Sequence, residues 1–286
     1  MSGAAPATVT ESDARCCKAA CDTRAVCFDH DAVPPDLPAG LRRAPLAGGA
    51  PGERLVLASA DGTAFSGFVA LADGGAAAAG VVVVSDVRGH YPFYERLCDR
   101  FAEAGHPAIT FDPFGRTAGL GPRDDDFDFW PEVGRTTPAG VQADIAACAA
   151  ELVARAGERP VVVVGFCFGG LQTFLAATSA ELEPILSGAV GFYGALDGER
   201  LGAPSPKDSA DGSRIPVLGL FGGADEGIGE EQREAFRRGL EVSGVEHELV
   251  VYPGAPHSFF DRKAEEFTEA SADAWRRTLS FLDARG

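Results

Sequence analysis

Short apolar runs alternate with amphipathic stretches along most of the chain. Two runs, residues 55–58 and 65–69, flank Asp61-Gly62, a dipeptide typical of a β-hairpin turn. Later runs are apolar on both faces and mostly rich in β-branched residues, which indicates buried parallel strands. These later runs cover residues 80–85, 108–111, 161–165 and 216–221.

The stretches between these runs have helical periodicity. The clearest one begins at Thr137-Pro138, a capping residue followed by a first-turn proline, and ends at Gly157. Further helices are predicted over residues 92–104, 169–179, 230–242 and 264–284. Because strands and helices alternate, we predict an α/β fold with a mostly parallel central sheet and helices on both faces.

Composition separates the first part of the chain from the rest. Residues 1–53 are rich in Ala and Asp and contain closely spaced prolines, which disfavour helix. We therefore predict an extended or partly disordered N-terminal extension over residues 1–53. The regular pattern then predicts one α/β domain over residues 54–286.

The charge and the termini limit the partners that we expect. The 286 residues include 42 acidic and 25 basic ones, a formal net charge of −17, which repels the phosphates of nucleic acids. The first residues lack a basic segment followed by an apolar one, and no run of 18 apolar residues occurs. Cys98, Cys148 and Cys167 lie in apolar patterns that do not favour disulfides. We expect a cytoplasmic protein that binds neither nucleic acid nor membrane.

Candidate chemistry centres on Gly165-Phe166-Cys167-Phe168-Gly169-Gly170, which follows a buried strand and opens a helix. This is the sequence of a nucleophile elbow with Cys in place of Ser. Glycines are needed there because the turn is tight, and the central residue is held in a strained conformation with its side chain exposed. The helix N-terminus also favours a thiolate at Cys167. The alternative is a small apolar residue in a glycine-rich turn.

A cysteine nucleophile needs a base and a group that orients the base. Asp225 follows the strand at 217–221, and His257 follows the strand at 249–252, at the ends of strands where sites in open α/β sheets lie. The order Cys167, Asp225, His257 is that of the α/β-hydrolases. Taken singly, Asp225 could cap a turn and His257 could be an ordinary loop residue. His90 is an alternative base.

These motifs resemble the dienelactone hydrolase (carboxymethylenebutenolidase-like) family of α/β-hydrolases. The resemblance runs from residue 54 to the C-terminus and is carried by residues 165–170, 222–225, 253–259 and 272–281. It implies an α/β-hydrolase domain over residues 54–286 that cleaves a small lactone or carboxylic ester through an acyl-cysteine intermediate, without a cofactor. Cys167 would be the nucleophile, His257 the base and Asp225 its partner. The backbone N–H groups of Val87 and Phe168 would form the oxyanion hole.

The resemblance also implies a partner for the resting nucleophile and a clamp for a substrate carboxylate. In the family, a glutamate in the loop after the strand at 81–84 restrains the resting cysteine. The corresponding residue here is Asp86, whose side chain is one methylene shorter. Alternatively, Asp86 only accepts hydrogen bonds from nearby backbone N–H groups. We expect preference for a substrate that bears a carboxylate, with Arg88 as the first candidate ligand. The further substrate-binding candidates are Arg116, Arg123, Trp130 and Arg262.

Other interpretations of the sequence remain open. The same three residues could transfer an acyl group or cyclise a metabolite, or Cys167 could serve a non-hydrolytic redox-sensing or ligand-binding protein. Cys16, Cys17, Cys21 and Cys27 with His30 suggest a zinc site only weakly, because their spacing contains no CxxC pair. We expect no metal at the catalytic residues, and a monomer or small homo-oligomer.

Overall fold

The computed structural model describes residues 52–72, 78–121, 123–124 and 126–286. In these residues eight strands form one sheet. Their bounds are β1 (Glu53–Ala58), β2 (Ala64–Ala70), β3 (Gly80–Val84), β4 (Ala108–Phe111), β5 (Val161–Phe166), β6 (Gly188–Phe192), β7 (Val217–Gly222) and β8 (His247–Tyr252).

The sheet has the order β1-β2-β4-β3-β5-β6-β7-β8. The predicted hairpin is present, since β1 pairs antiparallel with β2, and β2 also pairs antiparallel with β4. All the other pairs are parallel. The carboxyl ends of β3, β5, β7 and β8 therefore meet at one edge of the sheet, where the residues that follow them can form a single site.

Helices lie on both sides of the sheet, and the predicted α/β-hydrolase fold is confirmed. The α-helices in the described residues are α1 (Pro92–Glu103), α2 (Gly115–Ala118), α3 (Trp130–Arg135), α4 (Pro138–Ala156), α5 (Phe168–Ala176), α6 (Pro206–Ser209), α7 (Glu230–Ser243) and α8 (Thr268–Asp283). Short 3₁₀ segments occupy Glu199–Leu201 and Ala210–Gly212. None of these helices combines the length and the apolar character needed to cross a bilayer.

The main core forms where the valine-rich strands are covered on both faces. Every residue of β3 and of β5 is buried, as predicted for central parallel strands. Helix α4 begins after Thr137, whose hydroxyl accepts from the N–H of Gly140 (3.2 Å), and it buries the predicted apolar stripe. The pattern of apolar residues was therefore sufficient to identify the buried central strands and the helix that covers them.

Three features of the fold differ from the predictions. Strand β6 was not predicted, because its sequence Gly-Ala-Val-Gly-Phe has few of the residues that favour strands. The last helix begins at Thr268 and not at residue 264, because residues 258–267 form turns. The predicted extension lies outside the described residues except for residues 52 and 53, and Glu53 already belongs to β1. Cys16, Cys17, Cys21, Cys27 and His30 also lie outside them.

Replacing Gly191 in β6 by alanine should destabilise the fold. A Cβ at this position would lie 2.2 Å from Cζ of Phe174, a buried ring of α5. We expect the free energy of unfolding to fall by about 1–3 kcal/mol, as measured by urea and thermal unfolding. The control is Gly134→Ala in α3, where a Cβ would meet no described atom within 4 Å. Equal effects of the two substitutions would contradict the proposed packing.

Candidate active site

Cys167 occupies the turn between β5 and α5. Its backbone has φ 55° and ψ −111°, a conformation that non-glycine residues rarely adopt. The N–H of Cys167 donates to the carbonyl of Phe192 (3.0 Å), and its carbonyl accepts from the N–H of Leu171 (3.1 Å). The side chain is partly exposed, whereas Cys98 and Cys148 are fully buried. The strained turn therefore presents a thiol at the end of the strand.

Three glycines allow this turn because backbone atoms approach them closely. A Cβ on Gly165 would lie 2.1 Å from the carbonyl oxygen of Gly169, and one on Gly169 would lie 2.2 Å from that of Val84. A Cβ on Gly170 would lie 2.5 Å from Cα of Gly194. Side chains at these positions would separate α5 from the ends of its neighbouring strands.

His257 and Asp225 meet beyond the carboxyl ends of β8 and β7. Nδ1 of His257 lies 2.7 Å from Oδ2 of Asp225, and Oδ1 of Asp225 accepts from the N–H of Gly227 (2.9 Å). The ring of Tyr193 contacts the other side of the imidazole, with a centroid distance of 5.0 Å. The bond to Asp225 fixes the orientation of the ring and leaves Nε2 available to a neighbour.

The neighbour at His257 is Cys167. Burial disfavours the imidazolium, but the electrostatic interaction with Cys167 and the hydrogen bond and charge of Asp225 outweigh it, and the pKa of His257 is raised well above its usual value. A cysteine thiolate beside a protonated histidine is the state in which cysteine is an effective nucleophile. In contrast, burial raises the pKa of the thiols of Cys98 and Cys148 well above the ordinary value.

The two backbone N–H groups predicted to form the oxyanion hole belong to Val87 and Phe168. Val87 lies in the turn after β3, and Phe168 is the first residue of α5. Neither N–H donates to any acceptor among the described residues. The side chains of Val87 and Phe168 belong to the same small apolar cluster, which also contains Phe114, Phe129 and Val133. Trp130 is partly buried against this cluster.

Asp86 contacts Arg88 and not the cysteine. Its Oδ1 accepts from the N–H of Arg88 (2.8 Å), and its two carboxylate oxygens lie 3.0 and 2.9 Å from Nε of Arg88. Burial disfavours the carboxylate, but Arg88 and the charge of Arg262 outweigh it and hold the pKa of Asp86 below its usual range. The expectation that Asp86 restrains the resting thiol is corrected, because its oxygens are occupied by a guanidinium.

Arg88, predicted to bind a substrate carboxylate, is enclosed by protein groups, which does not favour that prediction. Only 4% of its side chain is exposed, and the guanidinium contacts the carboxylates of both Asp86 and Asp261. It also lies over the ring of Tyr91, 4.7 Å from the centroid. Two carboxylates already neutralise this cation, which leaves no charge for a ligand.

Two other predicted arginines are paired in the same way. Arg123 has its Nη2 2.6 Å from Asp112, and only 3% of its side chain is exposed. Arg116 contacts Asp144 (2.8 Å) and Asp61 (2.5 Å). Both are therefore bound to carboxylates of the fold, and Arg123 also lines a groove of about 500 Å³, so their role in binding a substrate stays a prediction.

Arg262 and His90 have different surroundings. Nη2 of Arg262 donates to Oγ of Ser258 (2.7 Å), next to His257, and its charge acts on Asp86 and Asp261. His90, the alternative base, has its Nε2 3.0 Å from Glu95 and lines the same groove of about 500 Å³. Cys167 and His257 are not among the residues that line that groove, and the ion-pair partner of His90 in the described residues is Glu95.

Two residues near His257 were missed by the sequence analysis. Asp261 is buried and contacts Arg88, and Tyr193 has a positive φ of 38° at the end of the unpredicted strand β6. Nothing in the local sequence marks either one, because each has its partners far away along the chain. Across the described segments, no group of three or more His, Cys, Asp and Glu side chains could hold a metal ion.

The strand order and the turn at Cys167 define an α/β-hydrolase. The sequence matches the profile of the dienelactone hydrolase family over residues 65–285. It is 32% identical to the putative carboxymethylenebutenolidase of Escherichia coli strain K12 over 215 residues, 72% of this chain and 77% of the relative. A relative with the same name from Salmonella typhimurium is 33% identical with the same coverage. The chain therefore belongs to the dienelactone hydrolase family, hydrolases that act on ester bonds.

Solved structures agree with this assignment. A putative dienelactone hydrolase from Klebsiella pneumoniae superposes with a TM-score of 0.70 at 28% identity, covering 82% of this chain and all of the other. An acylaminoacyl peptidase from Pyrococcus horikoshii superposes with a TM-score of 0.65 at 16% identity, covering 82% of this chain and 41% of the other. The second similarity concerns the fold alone.

Replacing Asp225 by asparagine should lower the pKa of His257, because a negative partner of the imidazolium is lost. The measurement is a titration of the His257 ring protons by NMR. Because the pKa of His257 is higher in the folded than in the unfolded protein, protonation of His257 stabilises the fold. This stabilisation is complete below the unfolded pKa of about 6.5 and is lost as the pH rises through the folded pKa. The excess stability of the wild type over the variant should therefore be largest at low pH. Asp273→Asn is a control at a surface carboxylate, and an unchanged pKa in Asp225→Asn would contradict the assignment.

Proposed function

We propose that the protein hydrolyses a small lactone or carboxylic ester through Cys167, His257 and Asp225. One observation carries the proposal: the strained turn presents Cys167 to a histidine whose other nitrogen lies 2.7 Å from a buried carboxylate. A redox sensor would need the thiol but not an oriented base. The geometry therefore supports nucleophilic catalysis.

In the first step, Sγ of Cys167 attacks the carbonyl carbon of the ester. The carbonyl oxygen gains negative charge, and the N–H groups of Val87 and Phe168 can donate to it. The C–O bond to the leaving group then breaks, and the proton on Nε2 of His257 passes to the departing alkoxide. In a lactone the alcohol stays attached to the acyl group.

In the second step, neutral His257 takes a proton from a water molecule. The hydroxide attacks the acyl carbon, the same N–H groups stabilise the new oxyanion, and the C–S bond breaks. Cys167 leaves as a thiolate beside His257, which still holds the proton taken from water, so the ion pair is restored. The carboxylic acid product then loses its own proton to solvent. Asp225 keeps the imidazole in one orientation throughout.

The charges near the catalytic residues favour a substrate without a carboxylate. The positive charges of Arg88 and Arg262 are matched by the negative charges of Asp86 and Asp261. This arrangement provides no surplus cation, and the net charge of −17 repels anions at long range. We therefore replace the expectation of an acidic substrate by that of a neutral ester or lactone.

Cys167→Ala should abolish hydrolysis of aryl esters and lactones, because the attacking atom is lost. Iodoacetamide should label Cys167 in the native wild type much faster than Cys98 and Cys148, whose burial keeps them neutral. Peptide mapping by mass spectrometry measures the labelling at each position. Cys148→Ala is the control for loss of a thiol outside the site. Normal turnover by Cys167→Ala would refute the mechanism.

The kcat/KM for an acidic lactone should be no greater than that for its methyl ester. The comparison is made at physiological ionic strength, where repulsion is screened beyond about 8 Å. Arg262→Gln should leave this ratio nearly unchanged. If Arg262 instead clamps a carboxylate, the wild-type ratio exceeds one and falls about ten- to hundredfold in the variant, as expected for a lost charged hydrogen bond.

A further inference from the structure

Arg88 joins two segments that carry proposed catalytic groups. It follows Val87 in the turn after β3, and its guanidinium reaches Asp261, four residues after His257. The two ends of this contact are 173 residues apart in sequence. The contact is therefore a direct physical link between the proposed oxyanion turn and the histidine loop.

The turn side of this link is rigid. The N–H of Gly89 donates to the carbonyl of Asp86 (3.1 Å), which closes a tight turn around Val87 and Arg88. The carboxylate of Asp86 binds both the backbone N–H and the guanidinium of Arg88, and the N–H of Asp86 donates to the hydroxyl of Tyr94 (3.0 Å). A displacement of the Arg88 side chain would therefore move the turn that carries the N–H of Val87.

The histidine side is equally constrained. Ser258, directly after His257, has a positive φ of 59°, and its carbonyl accepts from the N–H of Asp261 (3.2 Å). Its hydroxyl accepts from Arg262. Both Ser258 and Asp261 are buried. The carboxylate of Asp261 is therefore tied to the residue next to the proposed base.

Burying three charged side chains is a poor way to stabilise a fold. Arg88, Asp86 and Asp261 are all buried, and taking charges out of water costs several kcal/mol for each ion. Apolar residues of similar size often replace buried ion pairs without loss of stability, whereas ion pairs impose direction through their hydrogen bonds. The buried contact between Arg88 and Asp261 is therefore better suited to orient the two segments than to stabilise the fold.

We infer that Arg88 and Asp261 are positioning residues that set the oxyanion turn relative to the histidine loop. Neither residue reacts with the substrate. Their effect is on the distance between the Val87 N–H and the carbon that Cys167 attacks. The inference rests on the proposed function, and it adds a pair of residues on which the geometry of the transition state depends.

The test is a double-mutant cycle with Arg88→Lys, Asp261→Asn and both together. Each single variant should lower kcat for an aryl ester about ten- to hundredfold, as expected for a displacement near 1 Å, with a smaller change in KM. The double variant should be no slower than the slower single one, because either substitution already breaks the link. Rates are expressed per active thiol, counted by titration of Cys167, so that a partly folded sample does not lower kcat.

A second measurement separates positioning from general damage to the site. Alkylation of Cys167 by iodoacetamide uses the thiolate but forms no oxyanion, and His257 remains held by Asp225. Its rate should therefore stay within about twofold of wild type in all three variants. Asp261→Glu keeps a carboxylate opposite Arg88 and should recover most of the kcat lost in Asp261→Asn. If Asp261→Asn does not fold, Arg88→Lys alone carries the test, with the same expected loss of kcat and the same unchanged rate of alkylation.

Asp144→Asn is the matched control. It removes the charge of another buried carboxylate with an arginine partner, Arg116, but that pair contacts neither the oxyanion turn nor the histidine loop. It should lower thermal stability while kcat per active thiol is unchanged.

Three results would overturn the inference: wild-type kcat in both single variants, independent losses that multiply in the double variant, or an equal loss in alkylation and ester hydrolysis. Failure of the proposed function is separate, since Cys167→Ala would then still turn over the ester.

Discussion

The close approach of α5 to the ends of β3 and β6 is the constraint on which the site depends. Gly169 lies so near the carbonyl oxygens of Val84 and Ser85 that a Cβ there would be 2.2 and 2.4 Å from them. This contact brings the N-terminus of α5 next to the turn that follows β3. The same tight approach lies next to Cys167, whose φ is positive, and next to the turn that carries Val87, the proposed partner of Phe168 in the oxyanion hole.

Much of the fold and the three central site residues could be predicted from the sequence, for local reasons. Runs of valine indicate strands that are buried on both faces. Polar residues that follow such strands lie at the edge of the sheet where the carboxyl ends of parallel strands meet. Cys167 directly follows the buried strand β5, whereas Asp225 and His257 lie in the loops just beyond the ends of β7 and β8. Strand β6 was missed because its two glycines do not favour a strand; they accommodate Phe281 of α8 and Phe174 of α5.

The roles of the arginines could not be predicted from the sequence. Arg88 follows the proposed oxyanion residue and has the local sequence of an exposed ligand, yet its partner Asp261 lies 173 residues away. Arg116 and Arg123 are likewise defined by carboxylates that the fold brings to them. In an acidic chain most cations find such partners, so the type of residue near a site says little about the charge available there.

The small apolar cluster around Val87 and Phe168 has a consequence for the strength of the oxyanion contacts. Phe114 and Phe129 have no group that could bind an oxyanion, but they pack in one apolar cluster with the side chains of the two proposed oxyanion residues. Water screens a developing charge strongly, whereas in a medium of low dielectric constant the same N–H dipole interacts with it several times more strongly. In the proposed mechanism, the dielectric constant around the carbonyl oxygen would therefore be lowered by phenylalanine rings that take no part in any proton or bond transfer.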